Sequence, residues 1–135
     1  MKLMSALSYN PLHCMRCNRQ IDPRLLGVAP ELIEEVAAWR SLYDGIDRLW
    51  LDSGPYESWA RAQLESWQSA INVRGYAVAQ RINDTRRCYY WLFRDESMDS
   101  AAQMRCPRCA HEYSEYGGSV IKQLVCERCS IVTAG

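Results

Sequence analysis

The sequence predicts an α+β protein with an aromatic-rich helical centre, a short buried strand and cysteine-bearing β-hairpin lobes from the two termini. Apolar residues recur at helical spacing through the centre of the 135-residue chain, and an aromatic run follows them. Six of the seven cysteines form Cys-x-x-Cys pairs near the ends. We therefore divide the chain into an N-terminal Cys-x-x-Cys segment (1–27), a helical core with one strand (28–94) and a cysteine-rich C-terminal segment (95–135), packed as one compact unit.

The composition predicts a soluble, cytoplasmic protein. No apolar run approaches the ~18 residues that span a bilayer, and residues 1–12 lack both a continuous apolar stretch and a small-residue cleavage site. The 16 basic residues balance the 16 acidic ones, so no overall field attracts a polyanion or an anionic membrane.

The N-terminal segment carries Cys14 and Cys17 in a stretch of loop-forming composition, with Pro11 and Pro23 on either side. A single thiol pair in such a loop is typical of a metal-binding knuckle or of half of a larger site. We expect a knuckle-like fold for this segment.

The firmest helix begins at Pro30, which suits a first helical position because that position needs no backbone donor. Apolar residues then recur at spacings of 4, 3, 4, 3 and 4, which aligns them on one helical face: Leu32, Val36, Trp39, Tyr43, Ile46 and Trp50. Gly45 marks a point where this helix could break or bend.

Two further helices and one strand follow. A second helix is predicted from Pro55, with five residues facing inward: Tyr56, Trp59, Ala60, Leu64 and Trp67. A third is predicted from about Ser69 to Ile82, although Val73 and Gly75 disfavour it. The run from Cys88 to Phe93 favours a strand buried on both faces, and polar residues 95–103 form a linker. We expect the tryptophans, including Trp91, to pack in the core rather than stack on bases.

The C-terminal segment contains the strongest motif. Cys106-Pro-Arg-Cys109 and Cys126-Glu-Arg-Cys129 are separated by 16 residues, which is the spacing of a four-cysteine zinc ribbon, and Val120 to Val125 can form the strand that returns the second pair. Four thiolates leave Zn²⁺ no open position for water, so the ion is predicted to be structural rather than catalytic. The alternative is a redox dithiol or unliganded thiols.

The pair Cys14 and Cys17 needs two more ligands to hold an ion of its own. Cys88, His13, His111 or a second chain could supply them, and reduced, packed thiols are an equally weighted alternative. Cys88 lies in an aromatic run and is interpreted as a small core residue rather than a nucleophile. The two histidines are interpreted as exposed loop residues.

The region from Ser69 to Arg94 has five arginines and one aspartate, a net charge of +4: Arg74, Arg81, Arg86, Arg87 and Arg94. This is the best candidate surface for a polyanion. Residues 25–68 carry eight acidic and three basic residues, however, and could neutralise it. A four-thiolate zinc site adds a net charge of −2, which explains nearby basic residues without any phosphate contact.

Four segments together resemble a bacterial family of uncharacterised zinc-ribbon-containing proteins suggested to bind nucleic acids. They are Cys14-Met-Arg-Cys17-Asn, the tryptophan-rich stretch from Leu49 to Ala60, Cys88-Tyr-Tyr-Trp-Leu-Phe and the Cys-Pro-x-Cys…Cys-x-x-Cys tail. The resemblance implies zinc-ligand roles for the four C-terminal cysteines and for Cys14 and Cys17, and it carries over no catalytic residue.

We expect no enzymatic activity, because no catalytic constellation is evident. The leading hypothesis is a protein-binding module, such as a cognate inhibitor (immunity protein) of a toxin or a small regulator, whose acidic helical region from Glu31 to Glu65 faces a basic partner. The first alternative is nucleic-acid binding through the ribbon and Arg74, Arg81, Arg86 and Arg87. The second is a thiol redox protein that uses Cys14 and Cys17.

Overall fold

The computed structural model describes residues 1–5, 7–95 and 104–135, so the predicted linker lies outside the described residues apart from Asp95. The fold mixes helices and strands, as predicted. The described residues form three α-helices: α1 (Pro30–Asp52), α2 (Glu57–Glu65) and α3 (Ala70–Asn83). The strands are β1 (Lys2–Leu3), β2 (Leu12–His13), β3 (Gln20–Ile21), β4 (Tyr89–Trp91), β5 (Ser114–Glu115), β6 (Gln123–Cys126) and β7 (Ile131–Ala134). Short 3₁₀ helices cover Pro23–Leu26 and Gly54–Tyr56.

One seven-stranded sheet joins the three segments of the chain in the order β3-β2-β1-β4-β7-β6-β5. Strand β4 lies at its centre and pairs in parallel with β1 on one side and with β7 on the other, whereas the remaining pairs are antiparallel. The sequence predicts no strand at β1, because two residues are too short to show a periodicity. The two termini therefore extend the central strand into a sheet.

The predicted α1 helix is confirmed. Leu32, Val36, Trp39 and Tyr43 are buried along one face, and the helix continues through Gly45 without a break. A β-carbon at Gly45 would meet no atom within 4 Å, so this glycine costs helix propensity but interrupts no packing. No helix of the described ranges is both long and apolar enough to cross a bilayer.

The prediction for α2 is wrong at two aromatic residues. Ala60 and Leu64 are buried as predicted, whereas Tyr56 and Trp59 are 62% and 52% exposed. The helix begins only at Glu57, and Tyr56 belongs to the preceding 3₁₀ turn. Trp59 is rotated by about 100° from Ala60, so once Ala60 and Leu64 define the inner face the indole points outward.

Helix α3 begins one residue after the predicted start, because the Ser69 hydroxyl caps it by accepting a hydrogen bond from the backbone N–H of Asn72. Gly75 allows the backbone of α3 to pack closely against neighbouring side chains. A β-carbon at this position would lie 2.8 Å from Trp39 Cε2 and 2.5 Å from Tyr90 Cε2. The residue that weakens the sequence prediction of the helix is therefore the one that lets the helix approach α1 and the sheet.

The two faces of the sheet are covered differently. Leu3, Tyr90 and Ile131 pack with the helices in the main core. Side chains alternate along strands, so neighbouring residues lie on the opposite face, where Tyr89, Val125 and Val132 pack against Met15 of the N-terminal segment. The run from Cys88 to Phe93 thus contains the central strand, although that strand covers only Tyr89–Trp91 and is shorter than predicted. The predicted strand over Val120–Val125 begins only at Gln123, and Val120 is 71% exposed.

Candidate metal centre and a third cysteine turn

The four C-terminal cysteines come together as the spacing predicts. Their sulfur atoms all lie within 4.8 Å of one another, and the Sγ atoms of Cys109 and Cys126 are 3.5 Å apart. A tetrahedral ion with metal–sulfur bonds of about 2.3 Å requires sulfur atoms roughly 3.8 Å apart. The cluster therefore fits a four-thiolate metal site with only small adjustments.

Each half of this cluster is a tight turn. The backbone N–H of Ala110 donates to the carbonyl of Cys106 at 2.8 Å, and Ala110 has a left-handed φ of 57°. The second turn closes with a bond from Cys129 N to Cys126 O at 3.3 Å, followed by Ser130 at φ 52°. Both turns therefore have a left-handed residue four positions after their first cysteine. That conformation reverses the direction of the chain after each cysteine pair.

The protein environment shifts the pKa values of the four thiols in opposite directions. A hydrogen bond from the backbone N–H of His111 lowers the pKa of Cys109 to about 6. Burial instead raises the pKa values of Cys106 and Cys129, and raises that of Cys126 to about 11. A bound divalent cation would oppose the effect of burial on Cys106, Cys126 and Cys129, because coordination favours all four thiolates and releases their protons. Four sulfur ligands would complete the coordination shell, so such a site is closed to a catalytic water.

Basic residues around the cluster contact other groups of the protein. The Arg108 guanidinium donates to the Tyr76 hydroxyl at 2.7 Å and lies 4.9 Å from the centre of that ring, which links the cysteine turn to α3. Arg128 approaches the exposed ring of His111 at 2.7 Å, and Arg105 pairs with Glu112 at 3.6 Å. These contacts are with a tyrosine, a histidine and a glutamate rather than with a sulfur atom, so the compensation of the thiolates by local basic residues stays a prediction.

The N-terminal pair forms a third turn of the same geometry. The backbone N–H of Asn18 donates to the carbonyl of Cys14 at 3.0 Å, and Asn18 has a φ of 54°. The N–H of Cys14 bonds to Arg19 O at 2.8 Å, as the N–H of Cys106 bonds to His111 O at 2.8 Å. The predicted knuckle is thus present as a backbone conformation.

Among the described residues, the histidines and the cysteine considered as additional ligands do not join the third turn in a potential metal site. Within residues 1–5, 7–95 and 104–135, the one group of three or more potential metal ligands is the C-terminal cluster. His13 is buried rather than exposed, and its ring contacts Ser8 Oγ at 3.1 Å and Asn18 O at 3.0 Å. Cys88 is fully buried, which raises the pKa of its thiol to about 12 and suits a core residue.

A buried polar network holds the third turn against the hairpin of β5 and β6, which we call the C-terminal hairpin. The carbonyl of Met15 accepts hydrogen bonds from Gln123 Nε2 and Ser119 Oγ, both at 2.8 Å. The Gln123 side chain in turn accepts from Lys2 Nζ at 2.7 Å, and the Lys2 ammonium lies 4.5 Å from the centre of the Trp91 ring. Sequence reasoning missed Lys2 and Gln123. A glutamine within an apolar strand is a weak signal for such a network, and the N-terminal lysine gives none.

The arginines of the candidate nucleic-acid surface have protein partners. Arg81 pairs with Glu35 of α1, and Arg87 pairs with Glu127 at 2.7 Å. Arg86 donates to a backbone carbonyl at 3.1 Å, while Arg74 is exposed on α3. Three of the four residues therefore contribute to contacts within the chain.

Residues 4–93 match the family described as "Domain of unknown function (DUF2310)". The chain belongs to this family. Comparison with curated proteins gives no match, and comparison with solved structures gives none either. The matched segment contains Cys14, Cys17 and Cys88, whereas the C-terminal cluster lies beyond it, so the family match and the candidate metal centre are separate observations.

Proposed function

We propose that this chain is a non-enzymatic zinc protein that binds another protein through the junction of α1 and α2. Zinc is the metal that a tetrahedral set of four cysteines suits best. The role of the ion is to hold the C-terminal turns so that β6 and β7 complete the sheet. The recognition surface, which we call the helical corner, consists of Leu51, Tyr56 and Trp59.

The observation that carries this proposal is the exposure of the two aromatic side chains. Tyr56 and Trp59 are more than half exposed, and Leu51, near the end of α1, is 52% exposed. Aromatic residues are enriched at protein interfaces, where a few of them supply most of the binding free energy. An exposed tryptophan three positions after an exposed tyrosine is a typical anchor for such a contact.

Charge favours a basic partner. Residues 25–68, which contain the helical corner, carry eight acidic and three basic residues, and an acidic excess remains after Glu35 is paired with Arg81 from outside this region. Such an excess steers a positively charged protein toward this surface and increases the association rate. A cognate inhibitor that covers a basic toxin meets this description, as does a small regulator.

The alternatives have less support. Nucleic-acid binding through the arginine surface would first break the ion pairs of Arg81 and Arg87. A redox function would use Cys14 and Cys17. The turn that carries them shares its backbone geometry with the two turns of the candidate metal site, which favours metal binding over redox chemistry.

The test is affinity purification of the tagged chain from its native host, with and without nuclease, followed by titration with the purified partner. We expect one protein in a stoichiometric complex that survives nuclease treatment. Trp59→Ala should weaken its affinity at least about tenfold, whereas Leu25→Ala, at a 77% exposed apolar residue outside the corner, should leave it unchanged. Nuclease-sensitive capture, or equal effects of both substitutions, would refute the proposal.

A further inference from the structure

The third cysteine turn is built like half of a metal site. All three Cys-x-x-Cys turns have a left-handed residue four positions after the first cysteine: Asn18, Ala110 and Ser130. In the C-terminal cluster two such turns face each other and place four sulfur atoms together. We propose that Cys14 and Cys17 bind a zinc ion jointly with the same two residues of a second copy of the chain.

The turn is held in place by contacts behind it. Met15, between the two cysteines, is buried, and its carbonyl accepts two hydrogen bonds from the C-terminal hairpin. The carbonyl of Arg16 accepts a third, from the backbone N–H of Val120 at 2.8 Å. These hydrogen bonds involve backbone carbonyls and not the thiols. Cys17 is exposed and Cys14 is half-buried, so both sulfur atoms are available to bind a metal.

The remaining two ligands come from outside the part of the chain that the structure describes. No third histidine, cysteine or carboxylate of the described residues joins the pair in a potential metal site. A two-fold axis through the ion supplies two more thiolates without any new residue, because each copy contributes the same pair. Two thiolates from each copy complete a tetrahedron.

Position and charge both suit such a contact. The turn joins β2 and β3, and β3 is an edge strand of the sheet, so a second copy can approach it. Four thiolates and one Zn²⁺ carry a net charge of −2. The Lys2 ammonium donates to Gln123, whose side chain bonds the carbonyl of Met15 between the two cysteines, so each copy brings a positive charge behind its turn.

The experiment measures bound zinc and molar mass together on the full chain, purified under reducing conditions. We expect a dimer with about 1.5 zinc ions per chain, one in each C-terminal cluster and one shared. Cys17→Ser should give a monomer with about one zinc ion per chain. The matched control Arg19→Ser, an exposed position in the same hairpin, should keep both the dimer and the shared ion.

A monomeric wild-type chain would overturn the proposal, whether it holds one zinc ion or two, and so would a dimer that persists in Cys17→Ser. A second measurement does not depend on any variant. Mild chelation of the wild-type protein should dissociate the dimer while one zinc ion per chain remains, and added zinc should restore it. Chelation that releases zinc without changing the molar mass would refute the shared site.

Discussion

The N-terminal and C-terminal cysteine turns share one backbone geometry but differ in what lies opposite their sulfur atoms. In the C-terminal region the Cys106 turn faces the Cys126 turn, and all four sulfurs lie within 4.8 Å. The Cys14 turn instead packs its backbone on the C-terminal hairpin, through Met15 and Gln123. A local motif therefore forms half of a site, and only the arrangement of the chain completes it.

The largest expected effect concerns the zinc ion that we propose for the C-terminal cluster. Strong chelation, or Cys126→Ser, should forfeit a binding free energy on the order of 10 kcal/mol and unfold the hairpin of β6 and β7. Hydrogen exchange should show lost protection in both strands and in β4, which pairs with β7. Cys17→Ser should leave that protection unchanged. An equal loss of protection in Cys126→Ser and Cys17→Ser would show that the two cysteine regions do not differ in their contribution to the sheet.

The polar contact beneath the N-terminal turn predicts a pH dependence. Burial lowers the pKa of Lys2 from 10.5 to about 8. Between these values the unfolded chain binds a proton that the folded chain does not, so the stability of the folded state rises with pH through this window. Below pH 8 both states are protonated, and the cost of burying the ammonium is fully present.

Denaturant unfolding of wild type and Lys2→Met across that window tests the dependence. The stability of the wild-type chain relative to the variant should increase with pH by at most about 3 kcal/mol. Lys122→Met, which removes the exposed second lysine of the chain, is the control for the loss of an ammonium group. A flat difference for Lys2→Met would mean that its ammonium is solvated in the folded protein.

Two glycines test the helical region that lies between the cysteine turns. Gly75→Ala should destabilise the protein by about 2 kcal/mol, because the clash with Trp39 and Tyr90 exceeds the gain in helix propensity. Gly45→Ala faces open space and should stabilise by up to about 1 kcal/mol. Thermal unfolding of both variants measures the contrast. A neutral Gly75→Ala would show that α3 does not approach the sheet so closely.

The smallest effect concerns the left-handed residues of the turns themselves. Ala110 has no polar side chain to support a φ of 57°, so Ala110→Gly should stabilise by about 1 kcal/mol. Asn18→Gly should change stability by less than about half of that, because asparagine tolerates this conformation. Equal gains at both positions in urea unfolding would indicate that the two turns are strained alike.

Much of this architecture could be predicted from local patterns. The spacing of apolar residues predicts α1 because each buried side chain is one helical turn from the next. The two C-terminal pairs predict the four-sulfur cluster because a two-residue spacer places two thiols on one ion. The exposure of Trp59 could not be predicted in this way, since its spacing fits either side of a short helix until the neighbouring elements are placed.

By itself, the sequence determined the helical centre, the central aromatic strand and the presence of three equivalent cysteine turns, because each depends on residues close together in the chain. Only the tertiary structure decided that both termini join the central strand in one sheet and that Lys2 meets Gln123 across 121 positions. It also decided which cysteine turns face each other. Those outcomes depend on contacts between distant residues, which no local periodicity encodes.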